Sequence, residues 1–213
     1  MIGVSGFFPE AENVQEFWNN LISGRNSVRQ IARWKDSDFY SPDPSAANKS
    51  YSNWGGMLNE IHQFDPSFFS ITPREAELMD PQQRLFLQEA WRAVEDAGYS
   101  DKELAGKNCS VFVGCGPGDY NVKLKEHNVP LEAYSFTGNS SSILAARMSY
   151  LLNLKVASVP VDTACSSSLV AIHLACESIR NGVSEMAIAG GSEVICTPEF
   201  LVLGSRGGML SPV

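Results

Sequence analysis

Val156-Ala157-Ser158-Val159-Pro160-Val161 runs into Asp162-Thr163-Ala164-Cys165 and then Ser166-Ser167-Ser168-Leu169, and the change of pattern along this stretch decides the fold class. Val156, Val159 and Val161 read as a mostly buried strand. From about Ser166 to Arg180 the apolar residues Leu169, Val170, Ala171, Ile172, Leu174, Ala175, Cys176 and Ile179 leave almost no polar face on a helix, which Asn181 and Gly182 stop. Met186 to Ala189 is a second strand, closed by a Gly190-Gly191 turn. Strand, helix and strand in that order imply a parallel pair with a crossover, so the fold class is α/β.

Working outward, a helix is predicted from about Ser142 to Leu152, and Ser110 to Gly114 is a strand closed by a Gly116-Pro117-Gly118 turn. Thr72, Pro73 and Glu75 form a capped helix start with proline at the first helical position, and Asp80, Pro81 and Gln83 repeat it eight residues later. The second of these helices carries Phe86, Ala90, Ala93, Val94 and Ala97 on one face and ends at Gly98. Nearer the start, Val14, Phe17, Trp18, Leu21 and Ile22 follow a helical period, with Asn13 placed to cap and Gly24 to stop them. Met1 to Gly6 reads as a short strand, and residues 36 to 50 as a polar loop. No internal repeat, low-complexity tract or linker divides the chain.

The 213 residues include 24 acidic and 16 basic side chains, a net charge of −8, with 44% apolar and 19% charged residues. That composition forms a core and excludes disorder. The scattered Lys and Arg and the acidic balance are the wrong sign for nucleic-acid binding. No apolar run approaches the ~18 residues that span a bilayer, and Met1 to Pro9 does not read as a secretory signal. No membrane partner and a cytoplasmic location are expected. Five cysteines without a C-x-x-C spacing argue against both a disulfide framework and a structural zinc site.

The sharpest chemical feature is Cys165 at a strand-to-helix junction. Free backbone N–H groups and the positive end of the helix dipole favour a thiolate there and can hold a developing oxyanion. The alternative is a small buried hydrophobe, the commoner fate of a free cysteine. The adjacent serines read as cap and first-turn residues, and Asp162 as a backbone-bonding turn residue rather than a base. A helix apolar all round would place the thiol at the bottom of a pocket, reached only by an extended substrate arm. Cys109, Cys115, Cys176 and Cys196 read as core.

A histidine partner is not visible. His173 lies eight residues beyond Cys165 on the same helix, about 12 Å along the axis, while His62 and His127 fall in segments read as loops. Gly114-Cys115-Gly116-Pro117-Gly118-Asp119 has Asp where a dinucleotide fingerprint needs its last glycine, and its proline removes an N–H from the phosphate cradle. No cofactor-binding motif, metal-ligand cluster, P-loop or G-x-S-x-G elbow is present.

Asp162-Thr163-Ala164-Cys165-Ser166-Ser167-Ser168-Leu169 resembles the active-site motif of β-ketoacyl synthases, in particular the ketosynthase domains of modular polyketide synthases and type I fatty acid synthases. Phe64-Asp65-Pro66, Phe68-Phe69, Pro73-Arg74-Glu75-Ala76, Met79-Asp80-Pro81-Gln82-Gln83-Arg84, Glu95-Asp96-Ala97-Gly98, Gly190-Gly191 and Met209-Leu210-Ser211-Pro212 stand in that family's order. The resemblance implies a thiolase-like fold, layered α/β/α/β/α, of which residues 1–213 are the N-terminal part of one ketosynthase domain, truncated at both ends. It implies that Cys165 is the nucleophile, with a backbone N–H as candidate oxyanion donor. The reaction implied is ping-pong: Cys165 accepts an acyl group from the phosphopantetheine of an acyl carrier protein, and a malonyl-type thioester then decarboxylates and attacks the acyl-enzyme. It implies a homodimer.

The family's two catalytic histidines and lysine have no counterpart before Val213, so the chain alone is expected to be inactive in condensation. Phe7 stands where an arginine is common, Val156-Ala157 replaces a frequent Gly-Pro, and Ser192 replaces an apolar residue. A non-elongating, acyl-transferring or scaffold segment of an assembly line is the alternative reading.

Overall fold

Side-chain caps set the helix limits. In the computed structural model, which describes residues 1–212, α1 (Val14–Ile22) begins where Asn13 Oδ1 accepts the Glu16 N–H at 2.9 Å. Gly24, at φ +66°, follows its end. Two-residue strands β1 (Arg29–Gln30) and β2 (Trp54–Gly55) pair antiparallel around the short α2 (Asp36–Phe39). This helix falls inside the segment expected to be a loop. It lacks a side-chain cap hydrogen bond, so the usual start signal is missing, and it is held by burying Phe39.

Thr72 Oγ1 accepts the Glu75 N–H to start α3 (Pro73–Leu78), and Asp80 Oδ1 accepts the Gln82 N–H to start α4 (Pro81–Asp96). A capping box between Ser100 and Glu103 starts α5 (Asp101–Leu104). Then follow β3 (Cys109–Gly114), α6 (Tyr120–Glu126), α7 (Ala133–Thr137), α8 (Ser141–Leu151), β4 (Ser158–Val161), a 3-10 turn (Ala164–Ser166), α9 (Ser167–Arg180), β5 (Met186–Gly191) and α10 (Glu199–Arg206).

The chain forms two compact units, one of Met1–Gly6 with Ile61–Val194 and one of Phe7–Glu60 with Ile195–Val213. The second is built on Ile31, Phe39 and Leu201, with Trp34, Tyr40, Met57 and Leu210 packed against them. Trp34 Nε1–H donates to Cys196 O at 3.1 Å, and the Arg33 guanidinium donates to the carbonyls of Leu58 and Ile195.

The first unit holds the parallel sheet, in the order β4-β3-β5. The crossover through α9 is as expected, but β4 and β5 are not neighbours: β3 lies between them. Buried along its whole length, β3 sends Cys109, Val111 and Val113 into a core with Leu87 and Ala90 of α4 and Leu144, Ala145 and Met148 of α8. Its Phe112 points the other way, to Val161, Ala171 and Ala175. Helices thus cover both faces, which is why β3 reads as an apolar run. Its one polar side chain, Ser110, is satisfied by the hydroxyls of Ser178 and Ser184. Each fully buried Leu or Met contributes about 1.5–3 kcal/mol.

Three expected strand limits are corrected. Gly190 and Gly191 are not a turn but the end of β5, paired with Val113 and Gly114 of β3. Met1 to Gly6 joins no ladder, and its backbone is engaged by α4 instead: the Val4 N–H donates to Asp96 Oδ2 at 2.8 Å, and Gly3 packs so closely that a Cβ would lie 2.3 Å from Ala93 O. The strand expected from Val156 starts at Ser158, since Val156 sits at φ +75°, outside the β region. Pro160 is tolerated because β4 lies at an edge of the three-stranded sheet.

Candidate active site

Parallel strands deliver their C-terminal ends to one edge of a sheet, and Cys165 lies just beyond the end of β4. Three interactions shape its turn. The Thr163 N–H donates to Ser167 Oγ at 2.9 Å, Ser167 Oγ donates to Ala164 O at 2.7 Å, and the Ala164 N–H donates to Asp162 Oδ1 at 3.2 Å. Ser166 Oγ donates back to Thr163 O at 2.8 Å. Ser166, Ser167 and Asp162 therefore build the turn; Asp162 bonds backbone as expected, whereas Ser166, the N-cap of α9, makes no side-chain cap hydrogen bond.

Ala164 is forced to φ +54°, the left-handed region that an L-residue adopts only at a cost. This strained residue stands immediately before the exposed Cys165, in the 3-10 turn that leads into α9. Among the described residues no acceptor takes the Cys165 N–H. It is one of the orphan donors of a helix start, placed beside its own Sγ.

Two glycines let α9 approach the sheet. A Cβ on Gly114 would lie 2.5 Å from Ser167 C and Ser168 N, and one on Gly191 would lie 2.6 Å from Ser168 Cβ. The sequence carries no signal for this role, because what matters is the absent side chain. The strand ends are also tied together: the Cys115 N–H donates to Val161 O at 3.0 Å, and the Ser192 N–H to Gly114 O at 3.0 Å.

Cys165 is exposed, and so is Cys176, which corrects both the expected pocket bottom and the core reading of Cys176. The reason lies in how α9 divides its apolar residues. Small Ala171 and Ala175, with Val170 and Leu174, face the sheet, while Leu169, Ile172, Cys176 and Ile179 make a second apolar stripe, with Leu169 at 70% exposure. Cys109, Cys115 and Cys196 are buried, as expected. Burial pushes the Cys109 thiol up to about 11, and burial reinforced by Asp162, Glu193 and Asp80 does the same to Cys115. Both stay protonated.

The histidines do not assemble around Cys165. His173 is exposed on α9, and His127 caps the end of α6 with Nδ1 3.1 Å from Lys123 O; His62 lies in a turn. Among the described residues no group of His, Cys, Asp and Glu is arranged to hold a metal ion, and no helix is long and apolar enough to cross a membrane.

A cysteine on a strained turn that opens a helix over a parallel sheet has the surroundings a nucleophile needs. The family model for the β-ketoacyl synthase N-terminal domain matches residues 1–213. The chain belongs to the β-ketoacyl synthase family. It is 46% identical to polyketide synthase PksL of Bacillus subtilis over 100% of this chain and 5% of that protein. With polyketide synthase ThaG of Burkholderia thailandensis it shares 43% identity, over 97% of this chain and 4% of that protein.

Among solved structures, the oxazolomycin ketosynthase domain OzmH KS7 of Streptomyces albus superposes with a TM-score of 0.92 at 41% identity, covering 100% of this chain and 38% of that one. The ketosynthase from module 6 of the bacillaene synthase of Bacillus subtilis gives 0.86 at 45% identity, covering 99% and 34%. The chain thus spans little more than a third of these ketosynthase structures, and its helix, sheet and helix layers are the N-terminal portion of their thiolase-like fold.

Proposed function

We propose that Cys165 is the acyl-accepting nucleophile of a polyketide-type β-ketoacyl synthase. The observation that carries the reading is the Ala164-Cys165 turn, with a strained residue before the thiol and an N–H upon it that no described residue engages. The thiolate attacks the carbonyl carbon of an acyl thioester. The N–H of Cys165 donates to the oxyanion that forms; on collapse the bond to the carrier sulfur breaks, and that sulfur leaves as a thiolate and takes a proton from water. The acyl chain arrives on the phosphopantetheine of an acyl carrier protein.

In the complete protein a malonyl-type thioester then loses carbon dioxide. Its enolate carbon bonds to the acyl carbon, and the Cys165 thiolate leaves. Residues 1–213 are, on this reading, the N-terminal part of one domain, and the remainder of that domain covers the Leu169, Ile172 and Ile179 stripe in a homodimer. Mixing the purified chain with an acyl N-acetylcysteamine thioester tests the first step. The expected result is one acyl adduct by intact mass, mapped to Cys165 and absent in Cys165→Ala. An adduct on Cys176 instead, or none at all, refutes the assignment.

A further inference from the structure

Asp80 and Gln82 open α4, and any good capping residue satisfies a helix start, as Thr72 does for α3. Asp80 does more than cap. Only 1% exposed, it directs Oδ1 to the Gln82 N–H at 2.9 Å and packs Oδ2 over Gly118, where a Cβ would lie 1.8 Å from that oxygen. Gln82, 5% exposed, donates from Nε2 to Gly116 O at 3.3 Å, and its backbone carbonyl accepts the Ser192 hydroxyl at 3.1 Å. The first turn of α4 therefore grips the loop leaving β3 and the residue leaving β5. Those same ends bond to each other and, through the Cys115 N–H, to Val161, from which the Cys165 turn departs.

A buried carboxylate is a costly way to cap a helix when a hydroxyl suffices. Burial, chiefly, with help from Asp119, pushes Asp80 up to about 6, while the Gln82 N–H, Arg84 and the Tyr120 N–H pull the other way. Among the described residues Oδ2 takes no hydrogen bond from the Gly116–Gly118 loop; it bears on Gly118 by packing alone, and that contact is what the carboxylate adds to the cap.

We propose that Asp80 and Gln82 are positioning residues for Cys165: from the start of α4 they fix the ends of β3 and β5, and thereby the turn that presents the thiol and its N–H. Both are too buried to touch a substrate. The inference rests on the acyl-accepting role of Cys165 proposed above.

Asp80→Ser separates the two jobs, since serine keeps the cap but cannot reach Gly118. Gln82→Met removes the donor to Gly116 at similar volume and serves if the first variant folds poorly. In the full chain, three quantities are compared with wild type: Cys165 acylation by an acyl N-acetylcysteamine thioester, Cys165 alkylation by iodoacetamide, and amide hydrogen exchange over residues 161–168. The expected result is about tenfold slower acylation at unchanged thioester KM, alkylation within twofold, and faster exchange. Wild-type acylation and exchange in both variants overturn the proposal, as does an equal slowing of acylation and alkylation, which marks a cap and nothing more. Should the wild-type chain accept no acyl group, the reading of Cys165 falls, and exchange alone decides on Asp80 and Gln82: unchanged protection in both variants refutes their positioning role.

Discussion

Replacing Gly114 by alanine adds one methyl group where β3 meets the start of α9. The new Cβ lies 2.5 Å from Ser167 C and Ser168 N and 2.7 Å from Ser167 O, against ordinary contact from 3.4 Å. All three are backbone atoms, so no rotamer change relieves the clash, and α9 must retreat by about 1 Å. Overpacking of this kind costs about 1–3 kcal/mol, offset by the roughly 0.5–1 kcal/mol that alanine gains over glycine within a strand. A net loss of about 1–2 kcal/mol is expected in urea denaturation. The effect on acyl transfer is larger, because a misplacement of about 1 Å of the thiol and its N–H relative to the bound carbonyl group costs on the order of 100-fold in rate. Gly116→Ala is the control: the nearest atom to its Cβ is Asp162 Oδ2 at 4.0 Å, so it should acylate at the wild-type rate. Acylation of Gly114→Ala within threefold of wild type would show that close packing of α9 on β3 does not set the thiol's position.

The left-handed Ala164 gives a paired test: Ala164→Gly relieves about 1 kcal/mol of strain and Ala164→Val adds at least as much, so urea midpoints should run Gly, Ala, Val in falling order, and the reverse order refutes the turn geometry. Native iodoacetamide treatment followed by peptide mapping should label Cys165 and Cys176 and spare Cys109, Cys115 and Cys196 until denaturant is added; early labelling of Cys115 contradicts its burial and its raised pKa. Asp80 holds its proton more tightly folded, near 6 against an ordinary 3.8, so its contribution to stability falls as pH rises between those values and stays low above them. The decline amounts to about 3 kcal/mol. Asp80→Asn should lack it, gaining on wild type between pH 4 and 7, and parallel stability curves refute the burial of the carboxylate.

Where the chain carries its own local signals, the sequence was a sound guide. Asn13, Thr72 and Asp80 cap helices as read, and Gly24 and Gly98 take positive φ just past helix ends. Less legible were features fixed by distant partners. Nothing in Met1 to Gly6 shows that Asp96 takes its Val4 N–H, and nothing between β4 and β5 shows that β3 inserts between them. For α9, composition implied burial on every side, whereas only the alanine-rich face meets the sheet. An apolar stripe records what a helix contacts in the whole fold, not how deeply it lies within one segment. The strand-to-helix junction that carries Cys165 is legible, but Gly114 and Gly191 act by having no side chain, and only the fold shows which atoms they admit.

The site's location follows from topology more than from any single residue. Because β3, β4 and β5 are all parallel, their C-terminal ends fall on one edge, the side on which open α/β sheets place their chemistry. Each strand leaves that edge with a different contribution: β3 gives Gly114 and a loop anchored to Asp80 and Gln82, β4 gives Cys165, and β5 gives Gly191 and the Ser192 hydroxyl. A soft site could absorb a misplaced methyl by letting the turn move. This one cannot, because Cys165 follows a strained alanine, α9 rests on bare backbone at two glycines, and α4 closes the third side. Rigidity of this kind fits a nucleophile that must place both its sulfur and its own N–H on one carbonyl group. It also means that perturbations at Gly114, Ala164, Asp80 and Gln82 should couple. Combining Asp80→Ser with Gly114→Ala should then slow acylation by less than the product of the single effects, since the second change acts on a turn already released; a strictly multiplicative loss would show that the two contacts hold the thiol independently.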